Sequence, residues 1–442
     1  MRRRWGRLAL VVTAAATALL GFGVVLGPML HHRAGTPMAP EPASPTRSLD
    51  TYVRRTTTHL EQVPGDWNAW AGLGMAHIQL ARIGFDPAHY PQAQAALDRS
   101  LAVRPQGNAA ALTGLGALAA ARHQFAAALR YARRAVATDA YSADAYGVLT
   151  DAYVELGRYA QARTAVQHML DLRPDTGSFG RASYLFELGG DLPHARQFMQ
   201  RALDLAADPG DTTFALQHLG ELAFGQGDLA GAAARFADGL AQQPGQPALL
   251  ADRAKVEAAR GDLPAAIADL RDATATLPTV DHLVTLADTL TAAGDPAGAA
   301  RADDLVRVSD RLASASPDPT APAATDIDLL LFYADHGDPA KAVRKGRALF
   351  AVRPSVSVET AYAWALHAAG RDREALNHAN RGLRLHTRDA KAYYYRGTIR
   401  FALGDRDGAR ADLEQALRIN PYFSLRYVPA ARSELARLDR SQ

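Results

Sequence analysis

The sequence predicts an all-α chain, a solenoid of stacked helix pairs that follows a membrane-spanning helix and a Pro-rich linker. Three observations predict it. Apolar residues recur at spacings of three and four, the period of one helix face, and no stretch alternates long enough to build a sheet. A helix, turn, helix pattern returns about every 34 residues. Ahead of it, twenty-three residues from Leu8 to Leu30 carry no charge.

The opening MRRRWGR is basic, and the span Leu8 to Leu30 that follows is long enough to cross a hydrocarbon core, which takes about 20 helical residues. It exceeds the apolar region of a cleaved signal peptide, and the exit HHRAGTP is a poor cleavage site. An uncleaved signal anchor over 8–30 is therefore expected, with cleavage, and so a soluble secreted protein, as the alternative. Four arginines precede the span and only Arg33 follows closely. The positive-inside rule leaves residues 1–7 in the cytoplasm and places the array on the far side of the membrane. Residues 31–48 are Pro-rich and aperiodic, and should form a disordered tether.

The array proper is expected over 49–315. Residues 49–63 form a lone helix suited to an N-terminal cap. Trp70, Leu73, Gly74 and His77 then pair with Ala93, Leu97 and Pro105, across a turn lengthened by the insertion in RIGFDPAHYP. Leu112, Leu115 and Gly116 pair with Phe125, Ala128, Ala135 and Ala140. The clearest unit is Ala143 to Pro174. Tyr146, Leu149 and Tyr153 mark its first helix, Gly157 reverses the chain because it tolerates positive φ, and Ala162, Val166, Met169 and Leu170 mark its second. Gly190, Gly227, Gly261 and Gly294 repeat the punctuation. The helix after Gly294 overruns toward Ser314, and Pro317, Pro319 and Pro322 then exclude helix interior, so a break is expected over 316–325. A shorter array over 326–439 follows, with turns at Gly337, Gly370 and Gly404 and a polar closing helix from Pro429 to Leu438.

In its Tyr146, Leu149, Tyr153, Gly157, Tyr159, Ala162 and Pro174, the unit 143–174 resembles the tetratricopeptide repeat (TPR) family, with Thr150, Val166 and Met169 departing from the usual residues. The resemblance implies a right-handed superhelix that binds other proteins and brings no catalytic residue. The layout is similar to that of anchored TPR proteins that help assemble envelope complexes.

Composition narrows the function further. The formal charge is +3, but five arginines lie within residues 1–34; setting them aside leaves 44 basic against 46 acidic residues. The array is not the basic surface a nucleic-acid partner needs. Only four basic residues are lysine, at 255, 341, 345 and 391. Cysteine is absent, which excludes disulfides, thiolate metal sites and cysteine nucleophiles. No phosphate loop, zinc-protease motif, nucleophile elbow or dinucleotide fingerprint occurs, and the fourteen histidines are dispersed. No catalytic residue, cofactor or metal site is expected; a regulatory array of an enzyme system is the competing class.

In the TPR register the groove-facing slots hold Asp144, Asp151, Glu155, Glu187, Glu221, Asp252, Asp288 and Asp335, against Arg181, Lys255 and Lys391. A groove of one sign concentrates ligands of the other, so a basic or amine-bearing peptide is the expected ligand. The TPR subclass that clamps C-terminal carboxylates with Lys and Asn is disfavoured, because those slots hold Gly147 and Asp151 here. Tyr393 takes a core slot, whereas Tyr394 and Tyr395 are expected to point toward the groove, either as peptide anchors or partly buried beneath the C-terminal cap.

Overall fold

A computed structural model describes residues 45–84, 86, 88–314 and 327–440. The described residues hold twenty-two α-helices and no strand. The expected signal anchor (8–30), most of the tether and the Pro-rich break (316–325) lie outside the described residues. Among the described helices none is long and apolar enough to cross a membrane.

The helices pair in chain order. A first helix, α1 (Pro45–Gln62), precedes α2 (Trp67–Gly84) with α3 (His89–Val103), α4 (Ala109–Ala121) with α5 (Phe125–Thr138), and α6 (Ala143–Glu155) with α7 (Tyr159–Leu172). Then come α8 (Thr176–Leu188) with α9 (Leu192–Asp204), α10 (Pro209–Phe224) with α11 (Leu229–Gln242), and α12 (Pro247–Ala259) with α13 (Leu263–Thr276). The last are α14 (Val280–Ala292) with α15 (Pro296–Ser314), α16 (Ile327–Asp335) with α17 (Pro339–Val352), α18 (Val356–Ala368) with α19 (Asp372–Gly382), α20 (Ala390–Ala402) with α21 (Arg406–Ile419), and a closing α22 (Tyr427–Asp439). The insertion expected to lengthen the first turn instead extends a helix. α2 runs to 18 residues where most of its counterparts have 13.

One local device sets nearly every turn. Gly157, Gly190, Gly227, Gly261, Gly294, Gly337, Gly370 and Gly404 all have positive φ. The residue after each glycine donates its backbone N–H back to a carbonyl five residues earlier, as Arg158 does to Tyr153 (2.8 Å) and Asp228 to Ala223 (3.0 Å). This satisfies a carbonyl the helix end would leave orphaned. At 191, 228, 262, 338 and 405 that residue is Asp, whose side chain then caps the next helix by accepting its N3 amide. One residue thus ends one helix and starts the next. In the α4–α5 turn His123 takes the glycine slot, at φ 58°.

Helix pairs meet through small residues. Ala162 and Ala232 are fully buried, and Gly220 of α10 faces the Phe236 ring of α11 at a distance that leaves no room for a methyl group. The helices group into two compact units that part between Ala182 and Ser183, inside α8. In the second unit one apolar cluster joins Val280 and Leu283 of α14 and Val306 of α15 to Leu329, Leu330 and Phe332 of α16. Packing therefore continues from the helices before the Pro-rich stretch to those after it.

Candidate functional site

Within the first unit, the expected groove acids are spoken for. Asp151 receives two hydrogen bonds from Arg181, Nε to Oδ1 and Nη2 to Oδ2, both at 2.8 Å. Both partners are buried, and Arg181 also donates to the Gly177 carbonyl (3.0 Å). Burial pushes the Asp151 carboxyl up while Arg181 pulls against it. Asp144 pairs with Arg173, and Glu155 is buried. Asp151 is thus not a free acid but half of a bidentate ion pair that locks α6 to α8.

Within the second unit, helices α8, α10, α12 and α14 bring Glu187, Glu221 and Asp252 together and add groups that the repeat register did not single out. On α10, Gln217 and His218 lie one turn before Glu221. His218 Nδ1 bonds Glu221 Oε2 (2.6 Å), and Gln217 Nε2 donates to Glu221 (3.2 Å) and to Asp252 of the next repeat (2.9 Å). Lys255 bridges Asp252 (3.2 Å) and Asp281 (3.4 Å). Asp281 sits seven residues before Asp288 on α14, on the same face, so its signal was present in the sequence.

The electrostatics of this cluster follow from four carboxylates around Lys255 and His218, with Asp389 acting on Glu187 and with Lys391 and His282 acting on Asp281. Burial, reinforced by Glu221, pushes Glu187 up to about 7. Burial also lifts Asp252 to about 6; Lys255 opposes, and Glu221 and Asp281 add to the rise. Burial alone would raise Asp281, but Lys255, His282 and Lys391 together outweigh it and hold that carboxyl low. Burial disfavours the His218 imidazolium, yet Glu221 and Glu187 outweigh it and hold its pKa above the ordinary value. Lys255 is held up by Asp281 and Asp252 against its own burial. The arrangement remains open to solvent, since Glu221 keeps 39% and Asp281 28% of its side-chain surface exposed. It can bind a cationic group, and uptake of one would release protons from Glu187 and Asp252.

Other expected groove residues serve the C-terminal repeats. Asp288 accepts from Arg426 (2.8 Å). Asp335 accepts from Trp364 Nε1 (2.8 Å) and from the Tyr427 hydroxyl. Tyr394 and Tyr395 are not groove anchors: they are 3% and 1% exposed. Tyr395 stacks on Trp364 (ring centroids 4.3 Å) and Tyr394 on Tyr427 of α22 (5.0 Å), because the closing helix covers the face they occupy. Tyr393, expected in the core, is half-buried beneath Arg396. Among the described residues no three His, Asp or Glu side chains converge as metal ligands.

Three stretches match family models described as tetratricopeptide repeat, residues 119–180, 219–281 and 390–423. The curated proteins include no match. Among solved structures, the chain is similar to PilW, a type IV pilus biogenesis factor, at 18% identity over 45% of this chain and 92% of that one, with a TM-score of 0.40. It is similar to PilF of Pseudomonas aeruginosa at 16% identity over 51% and 97%, with a TM-score of 0.39. A thermophilic TPR protein of Thermus thermophilus matches at 23% identity over 41% and 98%, with a TM-score of 0.37. At these identities and scores the likeness adds no argument about function.

Proposed function

We propose that this chain of tetratricopeptide repeats is a protein-binding scaffold whose face along α8, α10, α12 and α14 takes a basic segment of a partner protein. What supports the reading is the acid excess of that face: Glu187, Glu221, Asp252 and Asp281 gather around Lys255, which bonds two of them, and burial together with the neighbouring carboxylates holds Glu187 and Asp252 well above the usual carboxylate range. An arriving guanidinium or ammonium would supply the missing charge, with electrostatic steering speeding its capture. The scaffold is tethered to a membrane by residues 8–30, with residues 1–7 in the cytoplasm and the repeats on the other side, where it helps assemble an envelope complex.

The test uses the full-length chain in detergent and a fluorescent deca-arginine peptide. Glu221→Lys with Asp252→Lys should weaken binding at least about tenfold and flatten its salt dependence; an unchanged affinity would refute the acidic face as the binding site. Tethering is tested separately by membrane fractionation of a C-terminally tagged chain. Recovery in the soluble fraction would refute it.

A further inference from the structure

Within the second unit, the C-terminal repeats reach back onto the helices that carry the acidic face, through three contacts between residues about 90 to 200 positions apart. Thr387 Oγ1 donates to the Leu188 carbonyl at the end of α8 (2.6 Å). Asn420 Nδ2 donates to the Phe224 carbonyl at the end of α10 (2.7 Å). Both acceptors are carbonyls at helix ends, and that of Phe224 also accepts the Gly227 N–H (2.8 Å). The approach is close: a Cβ on Gly190 would lie 2.4 Å from the His386 carbonyl oxygen, and His386 itself is held at φ 62°. The third contact is with α14, seven residues beyond Asp281. Arg426, in the turn before α22, donates to Asp288 (2.8 and 3.1 Å) and to His336 Nε2 (3.1 Å). Beside it, Leu425 packs on the apolar cluster of α11 to α15.

We infer that the turn 420–427 is an intramolecular latch on the acidic face, with Arg426 standing where a ligand's guanidinium would stand. Asp288 lies two turns along α14 from Asp281, on the face that the cluster occupies. A partner must displace the arm or wait for it to open, so its apparent affinity is reduced by the fraction of molecules that are open. The inference rests on the proposed basic ligand, and it adds that binding is gated by the chain's own C-terminus.

The test measures amide hydrogen exchange over 420–428 and binding of the deca-arginine probe on the full-length chain in detergent. Arg426→Ala should raise exchange there and tighten probe binding by about tenfold or more, since one charge-assisted hydrogen bond is worth at least about that factor. Asn420→Ala changes no charge and should tighten binding too. Asp288→Asn should raise exchange without tightening, because it opens the latch and removes an acid together. Tightening by Arg426→Ala alone would mark a plain charge effect and overturn the latch. Unchanged exchange in all three variants would overturn it as well, as would wild-type affinity in Arg426→Ala and Asn420→Ala; in each of these cases binding by the wild type leaves the acidic face standing. No probe binding by any form removes the acidic-face reading and the latch together.

Discussion

Placing a single methyl group on Gly220 is expected to destabilise the α10–α11 pair. An ideal Cβ there lies 2.3 Å from Cε1, 2.6 Å from Cδ1 and 2.9 Å from Cζ of Phe236. Relaxed carbon contacts lie near 3.5–4.0 Å, so three ring atoms overlap at once. The ring is 1% exposed and shares its cluster with Leu249 and Leu270, which leaves it nowhere to turn. Overpacking of this kind costs about 1–3 kcal/mol, and simultaneous overlap with three atoms puts Gly220→Ala near the top of that range. Alanine recovers about 1 kcal/mol as the better helix former. The net expectation is a loss of about 2 kcal/mol, read as a lower urea midpoint at unchanged slope. A double-mutant cycle isolates the cause. Phe236→Ala alone costs about 3–5 kcal/mol through its cavity, and Gly220→Ala added to it fills part of that space, so the two should couple favourably by about 1–2 kcal/mol. Wild-type or higher stability for Gly220→Ala, or strict additivity in the cycle, would refute the packing argument.

Three further outcomes are expected. Ala232→Leu, at a fully buried position, should lower the melting temperature by an amount corresponding to about 1–3 kcal/mol; an unchanged melting curve would contradict the register of α11. Glu187 is pushed up to about 7 from an ordinary 4.5, so the folded chain holds that proton more tightly. Stability should therefore fall as pH rises from 4.5 to 7, with the penalty complete above it. Glu187→Gln should remove this slope, stabilising the protein at pH 8 by at most about 3 kcal/mol and leaving it unchanged at pH 4; identical pH dependence in denaturation of the two forms would contradict it. Arg181→Met strands Asp151 as a buried charge and should cost about 3–5 kcal/mol, most of which returns when Asp151→Leu is added. Urea denaturation of the single and double variants checks this, and a double variant no more stable than the single would show that the ion pair is not the reason.

The repeat spacing by itself determined the helix pairs, their turns and the fully buried alanines. Gly157, Gly190 and Gly227 act over four or five residues, and positive φ at a helix end is a local demand that one residue type meets. The same register placed Glu187, Glu221 and Asp252 among the groove-facing slots of successive first helices; that they converge is seen only in the structure. Tertiary structure alone decided which charges are available. Asp151 and Arg181 are 30 residues apart, Asp288 and Arg426 are 138 apart, and whether such groups meet depends on accumulated rotation between repeats, which no local spacing encodes. Tyr394 and Tyr395 share that reason: their positions on α20 follow from its period, but only the arrival of α22, carrying Tyr427, turns an exposed face into core.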